Sequence, residues 1–280
     1  MDTVNIGLTR HDEKDELLIS CLNSLIIQKN VIINIILYDQ TYSQKIKQYC
    51  QINSKNSIKI FYKQIPPCRL SIVKNLLLND VNEGFLLFTD PDCIADSNWA
   101  FELVKTLKKY NCTIVGGKIL PIWKSNKLFI NKSKFINEFY SLLDLGNQTC
   151  KINKLIGCNM GVNIDTIKSF ELSFNEKVGR NKKKLVGSED TLFCLNAINK
   201  KLNIFYTSNA KIFHQIDKER LTYKWIFKRA FYGGFSRGNY PKKKQINPFN
   251  KKLNFIDYIS LSIIFIPYII GYIYGVISQK

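Results

Sequence analysis

The chain has 280 residues, 45% of them hydrophobic, with 41 Lys and Arg against 22 Asp and Glu, a formal net charge of +19. Its apolar content suffices for a packed core and excludes disorder as the main state; the length suits one large domain, or one domain with an appendage. The charge points to an anionic partner, but Lys supplies 35 of the cations and Arg six. Nucleic-acid readers depend on Arg, so no nucleic-acid partner is expected.

Residues 4–8 read as a strand. Residues 13–28 read as a helix, because Leu17, Leu18, Cys21, Leu22 and Leu25 recur on one face. The apolar run 32–38 has the pattern of a strand buried on both sides. A helix at 43–51, a strand at 58–62 and a helix at 71–79 follow. A second buried strand at 85–89 runs into Asp90-Pro91-Asp92. Ser97 is expected to cap a helix through Tyr110, with Trp99, Leu103 and Leu107 inward. A strand at 113–115 then meets Gly116-Gly117. This alternation predicts an α/β fold, a mostly parallel Rossmann-like sheet with helices on both faces. Ligands of such folds sit beyond the carboxyl ends of the strands.

Beyond residue 120 the pattern loosens. An amphipathic helix is expected at 133–143, a short strand at 160–164 and a helix with an acidic first turn at 188–200. Two short strands fall within 203–214, and an aromatic, cationic helix covers 221–235. The polar stretch 239–254 precedes an apolar tail at 255–277, so the expected division is a domain of residues 1–218 and a helical extension of 219–280. The tail is 23 residues long, and a span needs about 20. Pro267, Gly271 and Gly275 suit a membrane helix better than a soluble one. Lys242, Lys243, Lys244, Lys251 and Lys252 precede the tail and only Lys280 follows, which would keep the main domain on the cytoplasmic side of a membrane. A span, a helix in the interface plane and a helix buried in the domain all fit this tail.

Eight cysteines form no Cys-x-x-Cys pair, and His11 and His214 are the only histidines. A zinc cluster is therefore not expected, and the thiols read as reduced and mostly buried. Residues 1–5 carry no basic region leading into an apolar run, so no signal peptide is expected.

Two acidic motifs carry chemistry. Asp90 and Asp92 follow a buried strand, where two carboxylates can face a crevice together and suit a hard divalent ion beside phosphates. Gly187-Ser188-Glu189-Asp190 reads either as an ordinary helix start, capped by Ser188, or as a carboxylate placed to act as a general base.

In order along the chain stand Thr9-Arg10, Asp39, Arg69 to Asn75, Asp90-Pro91-Asp92-Cys93, Trp99, Gly116-Gly117, Gly157-Cys158-Asn159-Met160-Gly161, Glu189-Asp190, and His214 with Arg220. Over roughly residues 3–240 this series resembles the family 2 glycosyltransferases of the GT-A fold. The resemblance implies that Thr9, Arg10 and Asp39 line the base and ribose of a nucleotide-sugar donor, a UDP-sugar favoured. Lys74 and Asn75 stand where the family has a diphosphate contact, with Lys in place of the usual Arg. Asp90 would touch the ribose or sugar and share the metal with Asp92 and His214, the ion being Mg2+ or Mn2+. Asn159, Met160 and Trp99 would lie near the sugar or acceptor. Asp190 would accept the proton of the acceptor hydroxyl, supported by Glu189.

The implied reaction is a single displacement at the anomeric carbon with inversion, onto a glycan or lipid-linked acceptor of polysaccharide, lipopolysaccharide or other cell-surface glycan synthesis. The Gln-x-x-Arg-Trp pattern of processive synthases is missing, with Lys224-Trp225 and Arg229 a partial echo, so transfer of one sugar is expected. A sugar nucleotidyltransferase would want a glycine-rich phosphate loop at 8–12, which holds no glycine. A non-catalytic basic protein, binding membrane or nucleic acid, leaves the placement of Asp90, Asp92 and Asp190 unexplained. The basic stretch beside the tail suits an anionic membrane surface.

Overall fold

The computed structural model describes residues 1–55, 58–179, 186–239 and 253–278. Strands β1 (Asp2–Arg10), β2 (Val31–Asp39), β3 (Ile58–Gln64) and β4 (Phe85–Thr89) alternate with helices α1 (Asp15–Ile26), α2 (Gln44–Asn53) and α3 (Leu70–Asp80). All four strands are parallel, in the order β3-β2-β1-β4. Ile6, Leu8, Ile35, Leu37 and Leu86 are fully buried along them, each contributing roughly 1.5–3 kcal/mol by leaving water.

The second half continues with β5 (Cys93–Ala95), α4 (Trp99–Lys109), β6 (Ile114–Trp123), α5 (Lys134–Phe139), β7 (Thr149–Lys151) and β8 (Met160–Asn163). Next come α6 (Ile164–Ser169), α7 (Glu189–Asn199), β9 (Ile204–Ile216), α8 (Tyr223–Gly238) and α9 (Phe255–Ile277). The nine-stranded sheet runs β3-β2-β1-β4-β8-β6-β9-β5, with β7 also on β9. The expected α/β architecture stands; its parallel part is confined to the first four strands and the β6–β9 pair. Strands β8, β5 and β7 pair antiparallel with their neighbours.

Several local expectations change. The two strands expected within 203–214 are one, β9, interrupted where its register against β6 jumps between Gly117 and Lys118. A side chain at Gly117 would run into the Ala210 carbonyl and the Asn159 amide, so glycine permits the close approach there. Ser97 does not cap α4: the Asp96 carboxylate accepts from the Asn98 N–H at 3.0 Å, and the Asp96 carbonyl from Trp99 at 2.9 Å. The helix expected at 133–143 ends at Phe139, because Ser141 turns left-handed with φ 58°. Leu143 then bridges Ile119. The Tyr140 ring, packed between Trp123 and Trp225, pins this turn. The three-residue strands β5 and β7 are too short to show a periodicity and went unforeseen.

Helices α8 and α9 pack through glycine. Side chains at Gly234 and Gly238 would collide with the backbone at Tyr268 and Tyr272, and those at Gly271 and Gly275 with the backbone at Phe231 and Phe235. Two small-xxx-small faces thus interlock in the same chain direction. The start of α9 is tied to the domain by Asp257, whose buried carboxylate accepts from Ser133 Oγ at 3.0 Å and the Lys134 N–H at 2.9 Å. The lysines expected to flank the tail, Lys242, Lys243, Lys244, Lys251, Lys252 and Lys280, lie outside the described residues.

Candidate active site

The carboxyl ends of β1, β2 and β4 bring Arg10, Asp39 and Asp90 to one edge of the sheet. Arg10 donates to Asp39 at 3.3 Å, to Asp15, and through Nε to the Glu13 carbonyl at 2.9 Å. Asp39 is fully buried and also accepts from the Tyr62 hydroxyl at 3.0 Å and the Thr41 N–H at 2.8 Å. Burial and this carboxylate push the Tyr62 phenol up to about 12. Thr9 is half-buried beside them.

Past Asp90 the chain enters β5, which lies antiparallel to β9 and sets Cys93 opposite His214. Asp92 Oδ2 lies 3.1 Å from His214 Nε2 and 3.1 Å from an Arg220 nitrogen. His214 Nδ1 donates to the Tyr140 carbonyl at 2.7 Å, which fixes the ring and turns Nε2 toward the carboxylate. Donor atoms of Asp92, Cys93 and His214 lie within 4.8 Å of one another, all in buried residues. Burial pushes the Cys93 thiol well above its ordinary value, and sulfur is a softer donor than Mn2+ or Mg2+ prefers. The carboxylate and imidazole remain, a donor set that fits a divalent ion such as Mn2+ or Mg2+. Burial and the Asp92 charge together raise the Asp90 carboxyl to about 6, against the pull of Lys74 and His214. Two carboxylates with too little compensating charge are what a cation would relieve.

A second cluster stands at the start of α7. Asp190 accepts from the Lys74 ammonium, and through its other oxygen from the Gly157 N–H at 2.8 Å. Lys74 is buried, 4.0 Å from Glu189 and over the Phe174 ring. Burial works against its charge, but Asp190, Glu189 and Asp90 more than offset this and hold it above its ordinary range. A Cβ at Gly157 would come within 2.6 Å of both Asp190 oxygens. Ser188 makes no side-chain cap; its φ is 102°, a strained angle for a residue other than glycine.

Lys74, Asp90, Gly157, Glu189 and Asp190 line one wall of a cavity of about 420 Å³, and Arg229, Gly233 and Arg237 of α8 with Tyr268 of α9 line another. The site thus lies between the sheet edge and the C-terminal helices.

Other expected site residues are not brought there. Trp99 is fully buried and donates through Nε1 to Asn159 Oδ1 at 2.8 Å. The Asn159 amide donates to the Lys118 and Ala210 carbonyls at 3.0 and 3.1 Å, bracing the irregularity between β6 and β9. Met160 is buried in β8. All three are buried in the core, and none lines the cavity. The Asn75 amide bonds the Phe174 backbone in both directions, at 3.0 and 2.8 Å, and donates to the Glu176 carboxylate at 2.9 Å. Sequence reasoning assigned no role to Arg220 or Gly157. Arg220 lies six residues past His214, and Gly157 opens the Gly-Cys-Asn-Met-Gly motif, which were the available signals.

The chain matches the model of glycosyl transferase family 2 over residues 9–171. It is 23% identical over 155 residues to the glucosyl-dolichyl phosphate glucuronosyltransferase of Haloferax volcanii, covering 53% of this chain and 48% of that protein, about half its length. Among solved structures it is similar to S. aureus TarS 1-349 (TM-score 0.57, 13% identity, 98% of this chain and 72% of that one). The TarS structure with UDP-GlcNAc gives a TM-score of 0.55 at 12% identity, over 94% of this chain and 70% of that one. GalNAc-T7, crystallised with UDP, GalNAc and Mn2+, gives 0.60 at 11% identity, over 84% of this chain and 50% of that one. At such identities the likeness is one of fold, the GT-A arrangement expected above. The family match itself covers more than half of the chain, from the last residues of β1 through the strands that lead to Asp39 and Asp90, and the protein belongs to glycosyl transferase family 2.

Proposed function

We propose that the protein transfers a single sugar, with inversion, from a nucleotide-diphospho-sugar to a hydroxyl of a glycan or lipid-linked acceptor in cell-surface glycan synthesis. The observation that carries this reading is the Asp190 carboxylate, held by Gly157 and Lys74 in the wall of a cavity that Asp90 also lines. A UDP-sugar is the favoured donor, in keeping with the UDP and UDP-GlcNAc bound to TarS. The name of the Haloferax relative, with its glucosyl-dolichyl phosphate, favours a lipid-linked acceptor.

Thr9, Arg10 and Asp39 would border the base and ribose. Asp92 and His214, with Asp90 beside them, would hold Mg2+ or Mn2+, which when bound neutralises the leaving diphosphate. Lys74 would turn from Asp190 to the donor diphosphate, releasing an Asp190 oxygen to face the acceptor. Asp190 would then take the proton from the acceptor hydroxyl as its oxygen bonds to the anomeric carbon and the bond to the nucleoside diphosphate breaks. Glu189 would keep Lys74 charged and in reach. Most of the rate would come from positioning and from charge neutralisation. Trp99, Asn159 and Met160 support this site from the core rather than touching sugar. The apolar helix α9 would bring the domain to an anionic membrane surface, on the cytoplasmic side.

A panel of nucleotide-sugars, screened with Mn2+ and Mg2+ for thermal stabilisation and for release of nucleoside diphosphate, tests the proposal. A UDP-sugar should raise the melting temperature in an ion-dependent way and be turned over. If no nucleotide-sugar is bound or consumed, the reading fails.

A further inference from the structure

We infer that α9 lies in the plane of one leaflet of an anionic bilayer and does not cross it. The inference rests on the membrane contact proposed above and adds its geometry. By length and composition α9 qualifies as a span, with a mean hydropathy of 1.9 over its best window. Its two faces nevertheless differ. Asp257, Ser260, Ile264, Gly271 and Gly275 are buried against the protein. On the opposite side Tyr258, Phe265, Ile266, Ile269, Ile270 and Ile273 are exposed, as is Ile277 beyond them. Ser262 interrupts this stripe, and its hydroxyl donates to the Tyr258 carbonyl of its own helix at 3.0 Å. From Tyr258 to Ile277 the stripe runs roughly 28 Å. An uncharged, exposed apolar face of that length marks a contact surface.

The decisive feature is α8. The backbone contacts of Gly234 and Gly238 with Tyr268 to Val276, and of Phe231 and Phe235 with Gly271 and Gly275, fix α8 alongside α9. Helix α8 carries Lys224, Lys228, Arg229 and Arg237. If α9 crossed a bilayer, α8 would enter the hydrocarbon with it, taking all four cations and the cavity wall formed by Arg229, Arg237 and Tyr268. Asp257 moreover ties the start of α9 to Ser133 and Lys134 of the domain. Lying flat, α9 puts its bare stripe among the acyl chains and keeps α8 and the cavity in the aqueous and headgroup layer.

Charge complementarity selects the lipid. The 3-10 turn Phe129–Lys132 packs beside α9. It presents an exposed Phe129 with Lys132 over its ring at 5.8 Å, and exposed Lys124 and Lys127 precede it. At the start of α8, exposed Tyr223 and Phe227 alternate with exposed Lys224 and Lys228. Aromatic and lysine residues side by side suit an interface rich in anionic headgroups.

The test uses the full chain with a protease-cleavable tag appended after Lys280, added to sealed phosphatidylcholine vesicles with or without phosphatidylglycerol. Flotation with the anionic vesicles, weaker flotation with the neutral ones, and tag cleavage by external protease are the expected results. Double substitution Ile266→Lys with Ile270→Lys, on the outward face, should weaken partitioning about tenfold for each residue and leave the melting temperature unchanged. Floating protein with a protected tag would overturn the in-plane placement alone. Absence of flotation with either vesicle would overturn the membrane contact as well. Wild-type tag accessibility decides the geometry even if the double variant fails to fold.

Discussion

The two acidic clusters, around Asp92 and around Asp190, are built differently. Asp92 is met by the side chains of His214 and Arg220, each at 3.1 Å, and by the Cys93 thiol at 3.9 Å, and an incoming cation could take the place of Arg220. Asp190 is held by one buried ammonium and by one backbone N–H, which no ligand can displace. A group that binds an exchangeable ion profits from exchangeable partners. A group that must meet a hydroxyl at a set distance profits from a rigid one. The difference matches the roles proposed for them, and substitutions can separate the two.

Among substitutions that separate the two clusters, the largest effect should come from Asp92→Asn, with turnover falling about 10²–10³-fold and stabilisation by Mn2+ disappearing; ion titration by thermal shift and donor turnover would check both. Gly157→Ala comes next. Its Cβ would displace Asp190 and Lys74 without touching Asp92, so turnover should fall about 10²-fold while ion-dependent stabilisation persists. Loss of that stabilisation in Gly157→Ala would mean that the clusters act as one. Lys74→Met removes the cation from three carboxylates and should destabilise the fold by about 3–5 kcal/mol, as breaking a buried pair does, readable by urea denaturation. The smallest effect is a gain: Ser188→Gly relieves the φ of 102° and should raise stability by about 1 kcal/mol.

What could be read in the sequence follows the range of the interactions. Asp90, Asp92 and Asp190 were legible because each motif is local: a carboxylate directly after a buried strand, or in the first turn of a helix. The parallel half of the sheet was legible for the same reason, since the run from Ile32 to Tyr38 is apolar except at Asn34. The bracing role of Asn159 was not legible, because its partners at Lys118 and Ala210 are 41 and 51 residues away. A buried amide and a sugar-binding amide look alike until those partners are known. Trp99 was legible as inward-facing, and its indole meets Asn159 in the core. The interlock of α8 and α9 depended on pairing Gly234 and Gly238 with Gly271 and Gly275, which two separate apolar segments do not announce.

Comparison of the native protein and Asp190→Asn, each saturated with its UDP-sugar, Mn2+ and acceptor, tests the central claim most directly. The account predicts unchanged donor affinity in a folded variant, with release of UDP slowed about 10²–10⁴-fold. Release at the native rate, from a variant that still binds donor, would contradict it.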